Sequence, residues 1–389
     1  MSAGRLLAPG VYWVGQIDWN LRYFHGYTTQ RGSSYNAYLV VDEKIALIDT
    51  VKAPFVGDLL RDVAEIVPLD KIDYVVSLHV EMDHSGGIPE VLRACKNAKL
   101  VTSAPAGIRG LSAHFGPMEA IPVKTGDKLS LGARSLRFLQ TPMLHWPDNT
   151  AALLVEEGIL FSSDAFGQHY ACSLRFDDEV PKGLLFAEAA KYYANIILPF
   201  GGQVQKTLGA VKALGPKILA PAHGIMWRTY LPEILGKYEH WASYENSGGA
   251  VVIYDTMWHA TESMARRIGA VFARQGVPVE VMSLQSDPMS DIVTSMMEAK
   301  YVAIGSPTIN SGILPTAAGL LSYVKGLSPK NKVGFAFGSY GWSGQGAPQI
   351  QQAMAELNWE LPWEPFRQVY TPTEQSLGEL EKTLLAKLQ

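Results

Sequence analysis

His79-Val80-Glu81-Met82-Asp83-His84 places four side chains able to bind a metal within six residues. The run Asp73 to Leu78 before it reads as a strand, so His79 onward forms a loop at a strand's carboxyl end. Layered α/β folds commonly build sites there. Ligands at i, i+2, i+4 and i+5 let one short loop reach two adjacent ions rather than one. The plain alternative is a solvated polar loop. Three further residues weaken it: His145 in Leu144-His145-Trp146-Pro147-Asp148, Asp164 in Ser162-Ser163-Asp164-Ala165, and His223 in Ala220-Pro221-Ala222-His223-Gly224. Each follows an apolar segment and stands beside small or turn-forming residues.

Around this cluster the chain shows short apolar runs separated by turns. Asn36 to Val41 and Lys44 to Asp49 read as strands paired around Asp42-Glu43. Ala98 to Ser103, Ser135 to Gln140, Ala151 to Val155 and Ile159 to Phe161 add more, the last two as a hairpin through Glu156-Glu157-Gly158. Ala187 to Ile197 is helix-like, and Lys217 to Ala220 is a final short strand. Many antiparallel strands with interspersed helices predict two sheets between helical layers, an αββα sandwich.

Tyr244-Glu245-Asn246-Ser247-Gly248-Gly249 is a polar, glycine-bearing linker. The expected division is residues 1–245, a linker at 246–249, and residues 250–389. Beyond the linker, β and α segments alternate strictly: strands at Ala250 to Tyr254, Val277 to Leu284, Tyr301 to Gly305 and Lys332 to Phe337. Helices fall at Glu262 to Gln275, near Thr316 to Val324 and Pro348 to Leu357, and at Thr373 to Leu388. This pattern predicts a doubly wound parallel sheet.

Composition excludes several classes. Hydrophobic residues make up 47% and charged residues 18%, the balance of a globular chain with sizeable cores. A net charge of −4 gives no footprint for nucleic acid or an anionic membrane. Met1 to Gly15 lacks a basic segment followed by an apolar run, and no stretch approaches a membrane span, so a cytoplasmic protein is expected. Cys95 and Cys172 form no C-x-x-C pair and read as buried small hydrophobes in a reducing compartment.

A second set of loops lies in the C-terminal part. Asp255-Thr256-Met257-Trp258-His259-Ala260-Thr261 is a hydroxyl-bearing turn feeding a helix, which presents backbone N–H groups and a positive dipole end to a phosphate. No nucleoside-triphosphate P-loop is present. Gly305-Ser306-Pro307-Thr308-Ile309-Asn310 follows the third strand of this domain. Gly338-Ser339-Tyr340-Gly341-Trp342-Ser343-Gly344 follows the fourth. In the order 2-1-3-4-5, the ends of strands 1, 3 and 4 border the crevice where a ligand sits, and the end of strand 2 carries nothing comparable.

The N-terminal region resembles the metallo-β-lactamase superfamily, whose usual hydrolytic motif is H-x-H-x-D-H, with Glu81 here at the second His. Nearly the whole chain resembles the flavodiiron proteins (A-type flavoproteins). The resemblance rests on H-x-E-x-D-H, then the His of H-W-P-D, the Asp of S-D-A-F-G and the His of A-H-G-x-x-W-R, and none of the seven positions departs. It implies that His79, Glu81 and His145 hold one iron, that Asp83, His84 and His223 hold the other, and that Asp164 bridges both. It assigns Thr256, Met257, Trp258, His259, Ala260 and Thr261 to an FMN phosphate. Ser306, Pro307, Thr308, Asn310, Ser339, Tyr340, Gly341 and Trp342 go to the isoalloxazine ring. Trp258, Tyr340 and Trp342 are aromatic candidates for ring contact, against the plainer reading of aromatics capping a sheet edge.

The implied activity is reduction of O2 to water and/or NO to N2O at a diiron site that FMN re-reduces. Imidazole and carboxylate suit iron as well as zinc, and the anionic Glu81 favours higher oxidation states. No rubredoxin-like or flavin-reductase extension follows, so an external donor such as rubredoxin or a reduced deazaflavin is expected. The resemblance also implies a head-to-tail homodimer, or a dimer of such dimers, bringing each FMN to the partner's irons. Two other readings stay open: a zinc hydrolase with a flavodoxin-like module, and a flavin electron carrier whose N-terminal domain only binds a partner. His114 and His240 are expected at the surface. His25 and His169 are either ordinary loop residues or neighbours of the site. Tyr192 and Tyr193 are expected in the core, with lining of the site as the alternative.

Overall fold

The computed structural model describes residues 5–388. These form two compact units that interleave along the chain. One unit runs to Tyr193 and resumes over Gly202–Glu239, and the other comprises Ala194–Gly201 and everything from His240 on. Residues 240–249 therefore group with the second half.

The first unit has two principal sheets. The larger is ordered Arg5–Ala8, Val11–Trp13, Tyr38–Val40, Ile45–Ile48, Ile72–Ser77, Lys99–Ser103, Ala120–Val123. The smaller is ordered Lys128–Ser130, Ser135–Gln140, Thr150–Leu154, Ile159–Ser163, Ile218–Pro221. Antiparallel pairs are as frequent as expected, but both sheets are mixed. From Ile45–Ile48 to Ala120–Val123 every neighbouring pair is parallel, and so are Ile159–Ser163 and Ile218–Pro221. Parallel neighbours require crossovers, and helices Val56–Ala64, Ile88–Ala94, Ala106–Phe115 and Lys182–Tyr192 lie in those connections. Successive residues point to opposite faces of a strand. Tyr38, Ile48 and Val76 accordingly enter a core with Phe138, Phe161 and Met226. Their neighbours Leu39, Leu47 and Val75 join Leu59, Val63 and Val91 of the covering helices. Burial on both faces is why these strands read as unbroken apolar runs.

In the second unit the elements are β1 (Ala250–Tyr254), α1 (Ala260–Arg274), β2 (Val279–Ser283), α2 (Met289–Glu298), β3 (Tyr301–Gly305), α3 (Pro315–Leu327), β4 (Val333–Tyr340), α4 (Gly346–Glu356), β5 (Phe366–Val369) and α5 (Glu374–Leu385). All five strands are parallel in the order β2-β1-β3-β4-β5, with Val252 level with Val281 on one side and Ala303 on the other. This is the expected flavodoxin-like order, although the sequence reading lacked α2 and β5. Val252, Ile268, Phe272, Phe335, Phe337 and Leu380 share one core beneath α1 and α5.

The segment Ala194–Gly201 is tied into this unit by polar contacts. Asn195 donates to the Ser290 carbonyl (3.2 Å) and accepts from the Tyr323 hydroxyl (2.7 Å). The Tyr244 hydroxyl accepts from Gly201 N–H (3.2 Å) and donates to the Leu198 carbonyl (3.0 Å). Lys332, nearly fully buried, closes the end of α2 by donating to the carbonyls of Met297 (2.7 Å) and Ala299 (2.6 Å). Among the described residues, no helix is long and apolar enough to cross a membrane. Cys95 is buried as expected, but Cys172 is only half-buried.

Candidate metal centre and cofactor crevice

Strand Ile72–Ser77 delivers His79 in extended backbone, so His79 and Glu81 face one way and Val80 faces the core. The chain then turns into one helical turn, Met82–Ser85, which swings Asp83 and His84 into the same space. The expected loop is thus partly helical. The Ser85 hydroxyl secures the turn by donating to the Val80 carbonyl (2.6 Å). His145 comes from the loop after Ser135–Gln140, Asp164 from the end of Ile159–Ser163, and His223 from the end of Ile218–Pro221. All seven expected ligands are brought together.

The two oxygens of Asp164 face different neighbours. Oδ2 lies 3.4 Å from Nε2 of His79 and 3.4 Å from Nε2 of His145. Oε2 of Glu81 is 3.4 and 3.1 Å from the same nitrogens. Oδ1 lies 3.2 Å from Nε2 of His84 and 3.3 Å from Nε2 of His223. Oδ2 of Asp83 is 3.2 and 3.1 Å from that second pair. Ligands about 2.1 Å from a common ion in a tetrahedron are about 3.4 Å apart, so each set has the spacing of a coordination shell.

Hydrogen bonding supports the same conclusion. Both carboxylate oxygens of Asp83, both ring nitrogens of His84, Nε2 of His145 and of His223, and Oδ2 of Asp164 are buried without a hydrogen-bond partner. Each such group costs about 1–3 kcal/mol if nothing compensates it. Burial opposes ionisation of Asp164, but His84, His145 and His223 outweigh it and hold its carboxyl well below the usual range. Glu81 is likewise held down to about 2 against its burial, by the imidazoles of His145 and His79 beside it. Burial lowers both His145 and His223, but Asp164 with Glu81 pushes His145 up to about 9, and Asp164 with Asp83 pushes His223 up to about 10. The pocket stabilises positive charge, and two cations fit it.

Supporting residues fix the imidazoles. Asp148 Oδ2 accepts from Nδ1 of His79 (2.9 Å) and from Val80 N–H (2.8 Å), and the Ser34 carbonyl accepts from Nδ1 of His223 (2.7 Å). In each case Nε2 is left to face the centre. Tyr192 Oη donates to Asp164 Oδ1 (3.1 Å), so this tyrosine lines the site, while Tyr193 packs edge-on against Tyr238. Asp49 accepts from Leu78 N–H (2.8 Å), and burial pushes its carboxyl up to about 6. His25 and His169 lie beside the centre. His114 is exposed as expected, but His240 is half-buried between Glu298 and Glu245. Left-handed backbone at Asp49, Met143, Ser163 and Phe166 flanks the ligands, a concentration of strain common at functional sites. Gly224 has φ +76°, and a Cβ there would meet Gln168 Oε1 at 1.7 Å, so no other residue fits beside His223.

In the second unit the three loops do lie at the ends of β1, β3 and β4. Thr256 Oγ1 is buried without a hydrogen-bond partner, and Thr261 Oγ1, in the first turn of α1, is 3.3 Å from Ser339 Oγ. His259 takes left-handed backbone at the N-cap of α1 (φ 63°) and ties its ring to Glu262 (2.7 Å). These hydroxyls around the start of a 15-residue helix suit a phosphate. Ser306 and Thr308 are occupied in holding their loop. Ser306 Oγ accepts from Leu314 N–H (3.0 Å), and Thr308 Oγ1 accepts from Gly346 N–H (3.1 Å). Asn310 is an exposed left-handed turn residue.

Trp258 (83% exposed), Trp342 (91%) and Met257 (47%) stand out from the crevice, offering flat apolar surface. Sequence reasoning missed two contributors. Gln285, past the end of β2, donates to Asp255 (2.8 Å) and to the Thr256 carbonyl (2.6 Å), bracing the turn. Tyr370, past β5, is 65% exposed and lies against Gly341.

Comparison with known proteins agrees with this geometry. Residues 34–224 match the ODP family beta lactamase, and residues 252–361 match flavodoxin. The nitric oxide reductase of Moorella thermoacetica is 43% identical over 371 residues, covering 94% of this chain and 93% of that protein. The solved rubredoxin oxygen:oxidoreductase of Desulfovibrio gigas superposes with a TM-score of 0.96 at 38% identity, covering 98% of this chain and 97% of that one. The flavodiiron protein of Giardia intestinalis superposes at 0.95 and 33% identity, covering 98% and 95%. On site geometry, domain content and similarity along nearly its full length, this chain belongs to the flavodiiron proteins.

Proposed function

We propose that this protein reduces O2 to water or NO to N2O. His79, Glu81 and His145 would hold one iron, Asp83, His84 and His223 the other, with Asp164 shared between them, and the crevice of the second unit would hold FMN. When bound, the irons and FMN supply the electrons: four with four protons turn O2 into two waters, and two with two protons turn two NO into N2O and one water. The observation that carries this reading is the division of Asp164, whose oxygens each face a separate three-residue set.

The chain's residues prepare the site for such chemistry. Glu81, Asp83 and Asp164 offset most of the charge of two divalent ions in a buried pocket. Asp148 and the Ser34 carbonyl fix two imidazole tautomers, and Tyr192 fixes the shared carboxylate. The rings of Phe24 and Trp146 stand edge-on to His223 and His79 and give the pocket apolar walls. Apolar walls suit a small uncharged gas and disfavour bulk water. Thr256 and Thr261 would hold the FMN phosphate, and Trp258, Tyr340 and Trp342 would offer aromatic surface to its ring. Electrons come from an external donor, either a rubredoxin, as in the name of the Desulfovibrio gigas relative, or a reduced deazaflavin. The protein works in the cytoplasm as a head-to-tail homodimer, in which each FMN serves the partner's irons.

Anaerobic reduction followed by rapid mixing with each gas tests this. Fast flavin reoxidation is expected with at least one gas, and its loss in Asp164→Ala with FMN still bound. Silence with both gases, or two zinc ions and no iron by elemental analysis, overturns the proposal.

A further inference from the structure

We propose that His25 is an eighth ligand of this centre, interchangeable with His84 at the metal held by Asp83 and His223. The proposal rests on the two-metal reading above.

His25 sits at the tip of a two-residue hairpin. Phe24 pairs with Tyr27, and the connecting His25 and Gly26 have φ of 51° and 81°. Such a turn favours Asn, Asp or Gly at its first position, and histidine adopts its left-handed backbone more readily than most other residues. Its surroundings hold it in place. The His25 ring stacks on Phe24 (centroids 4.0 Å apart, 27° between planes), and Lys52 Nζ lies 5.0 Å from that phenyl ring. Nδ1 is 3.2 Å from Nε2 of His169, whose Nδ1 is 2.7 Å from Ser33 Oγ. Ser33 Oγ donates to the Ser34 carbonyl (3.4 Å).

The row can carry its protons in the direction that prepares His25 as a ligand. With the Ser33 hydroxyl donating to Ser34, His169 donates from Nδ1 to Ser33, and His25 donates from Nδ1 to His169. Nε2 of His25 is left as a bare lone pair. Its side chain is 6% exposed, and Nε2 has no hydrogen-bond partner. It faces carboxylate oxygens, 3.6 Å from Glu81 Oε1 and 3.9 Å from Asp83 Oδ2. A lone pair aimed at anionic oxygens is unfavourable unless a cation lies between them. Donor atoms of His25, Asp83 and His223 all lie within 4.8 Å of one another. At the tetrahedral spacing of about 3.4 Å, closure requires a shift of about 1.4 Å or less.

Metal-binding histidines usually donate from their other nitrogen to a fixed acceptor. His79 and His223 do so, and His25 does so through His169. His84 does not, since its Nδ1 has no partner. The anchoring expected of a ligand is therefore found at His25 and missing at His84.

The test is iron content and release to a competing chelator after anaerobic loading of His25→Ala, His84→Ala and the double variant. FMN content and near-UV circular dichroism report that each is folded. Each single variant should keep both irons, and the double variant should lose one. Equal loss in His84→Ala and the double variant overturns the proposal, and so does full retention in the double variant. Should His84→Ala fail to fold, His25→Ala alone decides: release of the second iron should quicken about tenfold, and an unchanged rate overturns the proposal. If the unaltered protein holds fewer than two irons, the two-metal reading fails instead.

Discussion

Asp148 touches no metal position, yet it accepts from both His79 Nδ1 and Val80 N–H. Removing it frees the His79 tautomer and the turn that follows. Asp148→Ala should therefore weaken metal binding about 10–100-fold, measured by chelator competition, with FMN binding unchanged. The seven proposed ligands were legible in sequence because they follow the ends of four strands. Asp148 was visible three residues after His145, but nothing in the pattern showed which way its side chain turned. The Ser34 contribution is a backbone carbonyl, which no residue type reveals. Tyr192 and Tyr193 are adjacent, and only the phase of their helix decides which one reaches Asp164.

Among the elements, the phosphate turn before α1 makes a sharp prediction. Thr256→Val removes a buried hydroxyl that has no partner in the protein itself. A hydrogen bond to a charged group contributes about 1.5–3 kcal/mol, so FMN should bind roughly 10–100-fold more weakly by fluorescence titration. The end of α2 gives a pH test. Burial pushes the Lys332 amine down to about 8, with Glu298 opposing the shift, while an unfolded lysine titrates near about 10.4. Between those values the unfolded chain binds more protons, so this group's contribution to stability rises with pH. Relative to Lys332→Met, the protein should gain roughly 1–3 kcal/mol from pH 8 to 10 in denaturant titrations. The lost carbonyl partners cancel from that slope.

Strands β1, β3 and β4 were legible as buried apolar runs. β5 was not, because Phe-Arg-Gln-Val alternates on a sheet edge between polar and proline-rich stretches. Its absence also hid Tyr370. Gln285 escaped notice because its contact is with the turn after a different strand.

At the scale of the whole molecule, the proposed head-to-tail pairing can be tested by complementation. Asp164→Ala retains FMN but not the metal pair, and a crevice variant that cannot hold FMN retains the metals. Mixed under subunit exchange, the two should recover gas-dependent flavin oxidation that neither parent shows. No recovery, despite mass spectrometry detecting the mixed dimer, would mean that each chain serves its own irons.

The polar ties of Ala194–Gly201 to Ser290, Tyr323 and Tyr244 also bear on how the protein is made. This segment leaves the ribosome before the residues it must join, so it waits incompletely satisfied through roughly a third of synthesis, until Tyr323 is made. A gene fragment ending at residue 249 would strand it, and one starting at 250 would lack it. Neither half should be expected to behave as a clean stand-alone product, and dissection is better attempted with the short segment grafted onto the downstream piece.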